Sequence, residues 1–293
     1  MTGRDGKPVK HPWYDRLIRT LVRPPFSDEL GRKRFFEWVT RAPPHRVSNI
    51  QLKIDGWPRC SRPLRIAFLS DFHTGSHSHD ISRLESIVSE AQTRNPDLVL
   101  FGGDFVNMQP FGGGRVPPAT IAAILSKLDA PCGRFAILGN GDYLYGEHEV
   151  ADALRNHDID VLTYRAQAIA FEDRAIEVVG LPDANIITAE GEGLLSRLRT
   201  DRPTIILAHD PAWFAYVPAG PYLTLAGHTH AGQVKLYGVG VLATCSKAPR
   251  RWTHGLVIEG GRYLYVTSGL GTSLLPIRIG VPPEYAIIEI EGV

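Results

Sequence analysis

The chain has 293 residues, of which 43% are hydrophobic, and this length supports one large globular domain or two modest ones. Its 32 Lys and Arg residues are balanced by 31 Asp and Glu residues, so the overall charge argues against a nucleic-acid-processing protein. Three widely spaced cysteines fit neither a disulfide framework nor a thiolate zinc site, and reduced thiols are expected.

Residues 1–47 form an N-terminal arm that is rich in Arg, Pro and aromatic residues. Within it, WYDRLIRTLVRPPF at 13–26 sets apolar residues at helical spacing among arginines. Such a helix can lie on an anionic membrane surface or dock on the main domain, and both interpretations are open. There is no apolar run of membrane-spanning length and no export signal, so we expect a cytoplasmic chain with peripheral contact at the inner membrane surface.

From residue 64 onward, short apolar runs end repeatedly on polar residues that can bind metal. LRIAFLSDFH ends at Asp71 and His73, DLVLFGGD ends at Asp104, and RFAILGN ends at Asn140. Helical patterns separate these runs: one begins near Asp80, the expected N-cap, and stops at Asn95-Pro96, and others cover 118–129 and 147–157. This alternation predicts βαβ units and a largely parallel sheet.

The second half of the chain repeats the pattern. TIILAHD leads to His209, and YLTLAGHTH leads to His228 and His230. Further strand-like runs are VLTY, AIEVVG, LVIEGGRYLYV around a Gly-Gly turn, and YAIIEIE. The predicted fold class is therefore α/β, with two mixed β-sheets packed face to face and flanked by helices. In such folds, ligands bind beyond the carboxyl ends of the strands, where these polar residues lie.

Each candidate site residue has an ordinary structural alternative. An Asp at a strand end often caps a helix, and Asn140-Gly141 alone favours a type I′ hairpin turn. Five strands that deliver seven candidate ligands make such coincidences hard to accept. In an extended segment, His228 and His230 point to the same face and can serve adjacent metals. Oxygen and imidazole donors without thiolates suit Mn²⁺, Fe or Zn²⁺.

The ordered motifs DFH, GGD, GNGD, LAHDP and GHTHAGQ resemble those of the calcineurin-like metallophosphoesterases, from about residue 64 to the C-terminus. The resemblance implies a metallophosphoesterase sandwich of residues 48–293. The tail TSGLGTSLLPIRIGVPPEYAIIEI further resembles a bacterial subgroup that includes membrane-associated phosphodiesterases and lipid-related pyrophosphatases. A phosphoester substrate, lipid- or nucleotide-linked, follows as an expectation.

The resemblance also implies a site with two divalent metal ions, which Asp104 bridges. The other ligands of the first ion would be Asp71, His73 and His230, and those of the second would be Asn140, His209 and His228. The implied activity is hydrolysis of a phosphodiester or pyrophosphate linkage by attack of a metal-bound hydroxide. A non-catalytic scaffold on the same fold is the alternative, although such a scaffold does not need both ion sites.

One position departs from the family pattern. The family usually has a His between this Asn and Asp, where it contacts the phosphate and assists the leaving group, whereas this chain has Gly141. The nearby Tyr143, Tyr145 and His148 are candidate substitutes for that group. His77 and His79 are expected only to line the mouth of the site.

Overall fold

The computed structural model describes residues 41–109, 114–183, 187–236, 240–241, 244–274 and 276–293. The amphipathic segment at 13–26 lies outside the described residues. The first strand begins at Arg46, two residues before the predicted start of the main domain at 48.

Strands dominate the described residues. In chain order they are β1 (Arg46–Ile54), β2 (Leu64–Leu69), β3 (Leu98–Phe101), β4 (Arg134–Ala136), β5 (Asp160–Val161), β6 (Arg165–Phe171), β7 (Arg174–Leu181), β8 (Thr204–Ala208), β9 (Tyr222–Ala226), β10 (Lys235–Leu236), β11 (Gly240–Val241), β12 (Gly255–Glu259), β13 (Arg262–Val266) and β14 (Glu284–Gly292). The α-helices are α1 (Asp80–Gln92), α2 (Pro118–Leu125), α3 (Asn140–Arg155) and α4 (Ala189–Leu195).

Two six-stranded sheets form the framework, with the strand orders β1-β14-β2-β3-β4-β5 and β12-β13-β9-β8-β7-β6. Both sheets are mixed. In the first sheet only β14 and β2 pair antiparallel, whereas in the second sheet both edge pairs, β12-β13 and β6-β7, are antiparallel. The inner strands β2-β3-β4 and β7-β8-β9 are parallel, so their carboxyl ends lie at the same edge of each sheet.

Three clusters of buried apolar side chains hold these elements together. Successive residues of β2 point to opposite faces of the sheet, so Ala67 and Leu69 belong to the cluster that includes α1, α2 and α3, whereas Ile66 and Phe68 belong to the cluster between the sheets. A third cluster covers the outer face of the second sheet. The predicted fold class, two packed mixed β-sheets flanked by helices, is confirmed.

Some local predictions were wrong at their boundaries. The helix expected at 147–157 begins at Asn140, with a break at Gly146 where φ is 150°. The helix expected at 118–129 ends at Leu125. Asp80 is the first residue of its helix rather than the N-cap. Its Oδ2 accepts hydrogen bonds from the backbone N–H groups of Gly75 (2.9 Å) and His77 (3.0 Å) in the preceding loop.

Two further features bear on the sequence expectations. Cys60, Cys132 and Cys245 are free thiols, as predicted. In the part of the chain that the structure describes, no helix has both the length and the apolar character needed to cross a membrane.

Candidate metal centre

The loop after β2 carries the first two candidate ligands. Asp71 and His73 have positive φ angles of 53° and 39°, which turn both side chains out of the strand direction. The buried Asp71 carboxylate accepts hydrogen bonds from Ser70 Oγ (2.7 Å) and from the backbone N–H of His228 (2.9 Å to Oδ1). Asp71 thus joins a ligand loop of the first sheet to one of the second sheet.

Asp71, His73 and His230 form one buried cluster whose donor atoms all lie within 4.8 Å of one another. The His73 and His230 Nε2 atoms are 3.2 Å apart, and His230 Nε2 is 3.6 Å from Asp71 Oδ1. Two nitrogens bound about 2.0–2.1 Å from one Zn²⁺ at bond angles between 90° and tetrahedral would be about 3 Å apart. The spacing of these nitrogens fits one shared cation.

Asp104, His209 and His228 form a second buried cluster. His209 Nδ1 lies 2.7 Å from the carbonyl oxygen of Gly102, and a hydrogen bond donated there leaves Nε2 as the atom that would bind a metal after losing its proton. Neither Nε2 of His209 nor that of His228 has a hydrogen-bond partner, although both atoms are buried. Unpaired buried nitrogens are costly, and a metal ion would satisfy them.

The Asp104 carboxylate of the second cluster also lies close to the first cluster. Its Oδ2 is 3.3 Å from His73 Nε2 and 3.5 Å from His209 Nε2, while its Oδ1 accepts the N–H of Gly141 at 2.7 Å. Burial would raise the pKa of Asp104, but the facing His209 and His73 outweigh it and hold that pKa well below the ordinary value. One oxygen of Asp104 therefore faces both clusters as an ionised acceptor.

Asn140 stands beside this carboxylate as the first residue of α3. Its neighbour Gly139 is extended, and a Cβ there would overlap Asp104 Oδ1 and lie 2.6 Å from His209 Cε1. The buried Oδ1 of Asn140 has no hydrogen-bond partner. The hairpin-turn alternative for Asn140-Gly141 is wrong, because the chain passes from strand into helix here. The unpaired amide oxygen is a donor that suits a divalent cation.

Sequence reasoning did not assign a role to Asp142. Its Oδ2 accepts the N–H groups of Asp104 (2.8 Å) and Gly139 (3.0 Å), and its Oδ1 accepts those of Phe105 (2.9 Å) and Val106 (3.3 Å). Burial and the Asp104 charge raise the pKa of Asp142, against the lowering effect of these N–H donors. The bond from the Gly139 N–H to Asp142 is the N3 half of a capping box, and because Gly139 has no side chain the sequence lacks the other half of that signature.

Arg278 was also not identified from the sequence. Its Nη2 lies 3.3 Å from His230 Nδ1 and donates to the carbonyl oxygen of Ser268 (2.7 Å), and its Nε donates to that of Gly271 (2.9 Å). The N–H of Gly271 in turn donates to the Asp71 carbonyl oxygen at 2.6 Å. Arg278 therefore braces both loops of the first cluster, through contacts that no local pattern encodes.

The three histidines of the second sheet differ in charge. Burial acts to lower the pKa of His209, but the Asp104 carboxylate raises it to about 10. Burial lowers the pKa of His228 and, more strongly, that of His230. Only His209 is therefore cationic at neutral pH in the metal-free protein.

The remaining candidates lie around this core. The Tyr145 hydroxyl donates to Glu149 at 3.3 Å, Tyr143 is half-buried, and the His148 side chain is 93% exposed. His79 is exposed, whereas the His77 side chain is buried with its Nδ1 3.2 Å from Ser76 Oγ. Gly141 has no positive φ, and a Cβ added to it would lie 3.0 Å from Asp104 Oδ1.

Comparison with known proteins identifies the family of this chain. The profile of the calcineurin-like phosphoesterase family matches residues 64–232. Phosphodiesterase YaeI of Escherichia coli strain K12 is 30% identical over 232 residues, which cover 78% of this chain and 82% of YaeI. Uncharacterized metallophosphoesterase YkuE of Bacillus subtilis strain 168 is 29% identical and covers 77% of each chain. Uncharacterized metallophosphoesterase Cj0846 of Campylobacter jejuni is 28% identical, and the match spans 84% of this chain but 63% of Cj0846.

Proposed function

We propose that this chain, which belongs to the calcineurin-like phosphoesterase family, is a dinuclear metal-dependent enzyme that hydrolyses phosphodiester or pyrophosphate linkages. The observation that carries the proposal is the single Asp104 oxygen that faces two buried Asp/His clusters. YaeI is named a phosphodiesterase, which supports this bond class for its relative.

In the proposal, Asp104 would be a ligand shared by two divalent ions. Asp71, His73 and His230 would hold the first ion, and Asn140, His209 and His228 would hold the second. The unpaired atoms Asn140 Oδ1, His209 Nε2 and His228 Nε2 support this assignment. Since the donors are oxygen and imidazole nitrogen, Mn²⁺, Fe or Zn²⁺ are the candidate ions.

Two such ions, when bound, supply Lewis acidity that activates water at neutral pH and neutralises phosphoryl charge. The chain's own part is to hold the donors rigidly. Asp142 fixes the Asp104 backbone through N–H bonds, and the Gly102 carbonyl fixes the ring of His209. Arg278 fixes the loops that carry Asp71 and His230. These supports keep the oxygen and nitrogen lone pairs aimed at the ion positions.

Gly141 has no side chain that could protonate a leaving group, so we infer that the substrate supplies a leaving group that departs easily. A phosphate with a second pKa of about 6 or an aryl oxide needs less protonation than an alkoxide. We therefore propose that pyrophosphate linkages and aryl phosphodiesters are preferred over simple alkyl esters. A nucleotide-linked lipid is one substrate with this chemistry.

A non-catalytic scaffold is the competing function, and one experiment separates the two. The purified protein is reconstituted with Mn²⁺, its metal content is measured by mass spectrometry, and hydrolysis of bis-p-nitrophenyl phosphate is followed. The proposal predicts two ions per chain and metal-dependent turnover. Two ions without turnover would favour the scaffold, and fewer than two would contradict the dinuclear site.

We also propose that the chain works at the cytoplasmic face of the inner membrane, with the arm at 13–26 in peripheral contact. Arg16, Arg19 and Arg23 lie among apolar residues in this segment. Replacing these three residues by Glu should weaken sedimentation with anionic vesicles without lowering turnover of a soluble substrate. Unfolding of this variant would instead support docking of the arm on the main domain.

A further inference from the structure

Three apolar side chains near the metal centre face solvent. Leu274 is 64% exposed, Ile277 is 38% exposed and Ile279 is 48% exposed. We call these three residues the apolar rim. Single exposed apolar residues are ordinary on protein surfaces, but here three occur within six positions of the chain.

The rim is fixed to the metal centre. Within the same segment, Arg278 reaches inward to His230 Nδ1 at 3.3 Å. The backbone on either side is also tied to the chain that follows His230: Ser273 donates its N–H to Gln233 Oε1 (2.8 Å), and Lys235 donates its N–H to the Ile279 carbonyl oxygen (2.9 Å). Whatever contacts the rim is therefore held next to the ligand loop of the second sheet.

Backbone strain accompanies the exposure of Leu274. Its φ is 65°, a left-handed conformation that costs free energy for a bulky residue and that Gly or Asn adopts more readily. A side chain that is 64% exposed has little packing to offset this cost. An exposed Leu in this conformation therefore motivates a functional explanation.

The rim also lies in the most basic part of the main domain. Residues 211–283 contain six Lys and Arg residues and one acidic residue, Glu259, whereas residues 48–210 contain 15 Lys and Arg against 22 Asp and Glu. Lys235, Lys247 and Arg250 are exposed. The backbone N–H of Lys235 donates to the rim residue Ile279. The turn at Arg250–Trp252 is followed by Thr253, whose carbonyl oxygen accepts a hydrogen bond from Thr229 Oγ1 at 2.7 Å. The segments that carry Lys235 and Arg250 are thus bonded to the rim backbone and to the ligand loop, respectively.

We propose that the apolar rim inserts into the surface of an anionic lipid bilayer, with the surrounding basic residues on the lipid headgroups. Apolar side chains that enter the boundary between headgroups and acyl chains, together with cations that contact anionic lipids, are the combination that holds proteins on membranes. The rim residues are not part of the arm at 1–47 in the sequence. Rim insertion would hold the neighbouring His230 loop at the lipid surface, and it does not depend on the proposed hydrolytic activity.

Vesicle sedimentation of the full chain tests the proposal. One variant carries Leu274→Ser, Ile277→Ser and Ile279→Ser. The matched control carries Leu256→Ser and Ile258→Ser, which change two apolar side chains that are 40% and 57% exposed on the edge strand β12. Each protein is mixed with vesicles of phosphatidylcholine alone or with about a third phosphatidylglycerol, and bis-p-nitrophenyl phosphate turnover is measured separately.

Wild type should sediment with the anionic vesicles, and the rim variant should lose about tenfold or more of this partitioning while the control stays within about twofold. Added salt should weaken wild-type binding. Equal binding of rim variant and wild type, an equal loss in the control, or no binding by wild type would overturn the proposal. A dimer in light scattering that disappears in the rim variant, without a change in vesicle binding, would instead assign the rim to a second copy of this chain.

Discussion

The two sheets bring different chemistry to the metal centre. The loops after β2, β3 and β4 supply every oxygen donor of the candidate site and one imidazole: Asp71, Asp104, Asn140 and His73. The loops after β8 and β9 supply only imidazoles: His209, His228 and His230. Each cluster takes donors from both sheets, so neither sheet can form a metal site alone. Metal affinity should therefore depend on how the sheets pack as well as on the ligands themselves.

Removing the central oxygen donor should have the largest effect. Asp104→Ala takes away the carboxylate that faces both clusters, and kcat/KM should fall by about 10³-fold or more because both ion positions lose a ligand. Metal content and turnover are measured together. Asp129→Ala, at a side chain that is 83% exposed, is the control and should match wild type. Near-normal turnover of Asp104→Ala with two bound ions would show that the assignment of this carboxylate is wrong.

A smaller loss is expected when the support beneath that oxygen is weakened. Asp142→Asn keeps the shape but replaces one acceptor oxygen by a donor that faces backbone N–H groups of the Asp104 loop. Metal affinity or activity should fall by about 10–100-fold, as for other residues that support metal ligands. Titration calorimetry with Mn²⁺ measures this loss. Asp152→Asn, on the exposed side of α3, is the control and should leave metal affinity unchanged. Wild-type metal affinity in Asp142→Asn would show that Asp142 does not support the ligand Asp104.

The seven candidate ligands could be predicted because each follows an apolar run directly in the sequence, as Asp104 follows Leu98–Phe101. Asp142 and Arg278 could not, since the contacts of Arg278 with His230 join positions 48 residues apart. Strand β1 was missed for the same reason: it pairs with β14 at the other end of the chain, with Arg46 beside Glu284. Local sequence patterns predict which polar residue follows a strand, but they do not predict which distant residue contacts it.

A third variant adds a proton donor to the segment that follows β4 in the first sheet. Gly141→His should raise kcat/KM for alkyl phosphodiesters about tenfold or more relative to aryl ones, because general acid catalysis typically contributes roughly 10²–10⁴-fold when the leaving group is poor. Gly141 has no positive φ, but an added Cβ would lie 3.0 Å from Asp104 Oδ1, so the metal content of the variant is measured as well. The measurement is the dependence of kcat/KM on leaving-group pKa for both proteins. A wild-type slope as shallow as that of the variant would mean that another residue already protonates the leaving group.

The smallest expected effect concerns the charge of one imidazole in the second sheet. The pKa of His209 rises from about 6.5 in the unfolded chain to about 10 in the metal-free fold, mainly because the Asp104 carboxylate overcomes the opposing effect of burial. The contribution of this interaction to the free energy of unfolding is fully present below pH 6.5 and is lost as the pH rises through about 10. Urea unfolding of EDTA-treated wild type and His209→Gln at about pH 6.5 and about pH 10 measures it. The difference between the two proteins should shrink at the higher pH, and a constant difference would contradict the charge assignment.

The central claim is that two ions lie between the sheets on either side of Asp104. Anomalous diffraction from a crystal soaked with Mn²⁺ tests it most directly. Two peaks about 3.5–4 Å apart are expected, one bounded by Asp71, His73 and His230 and the other by His209, His228 and the Asn140 amide, with Asp104 between them. A single peak, or two peaks that Asp104 does not separate, would contradict it.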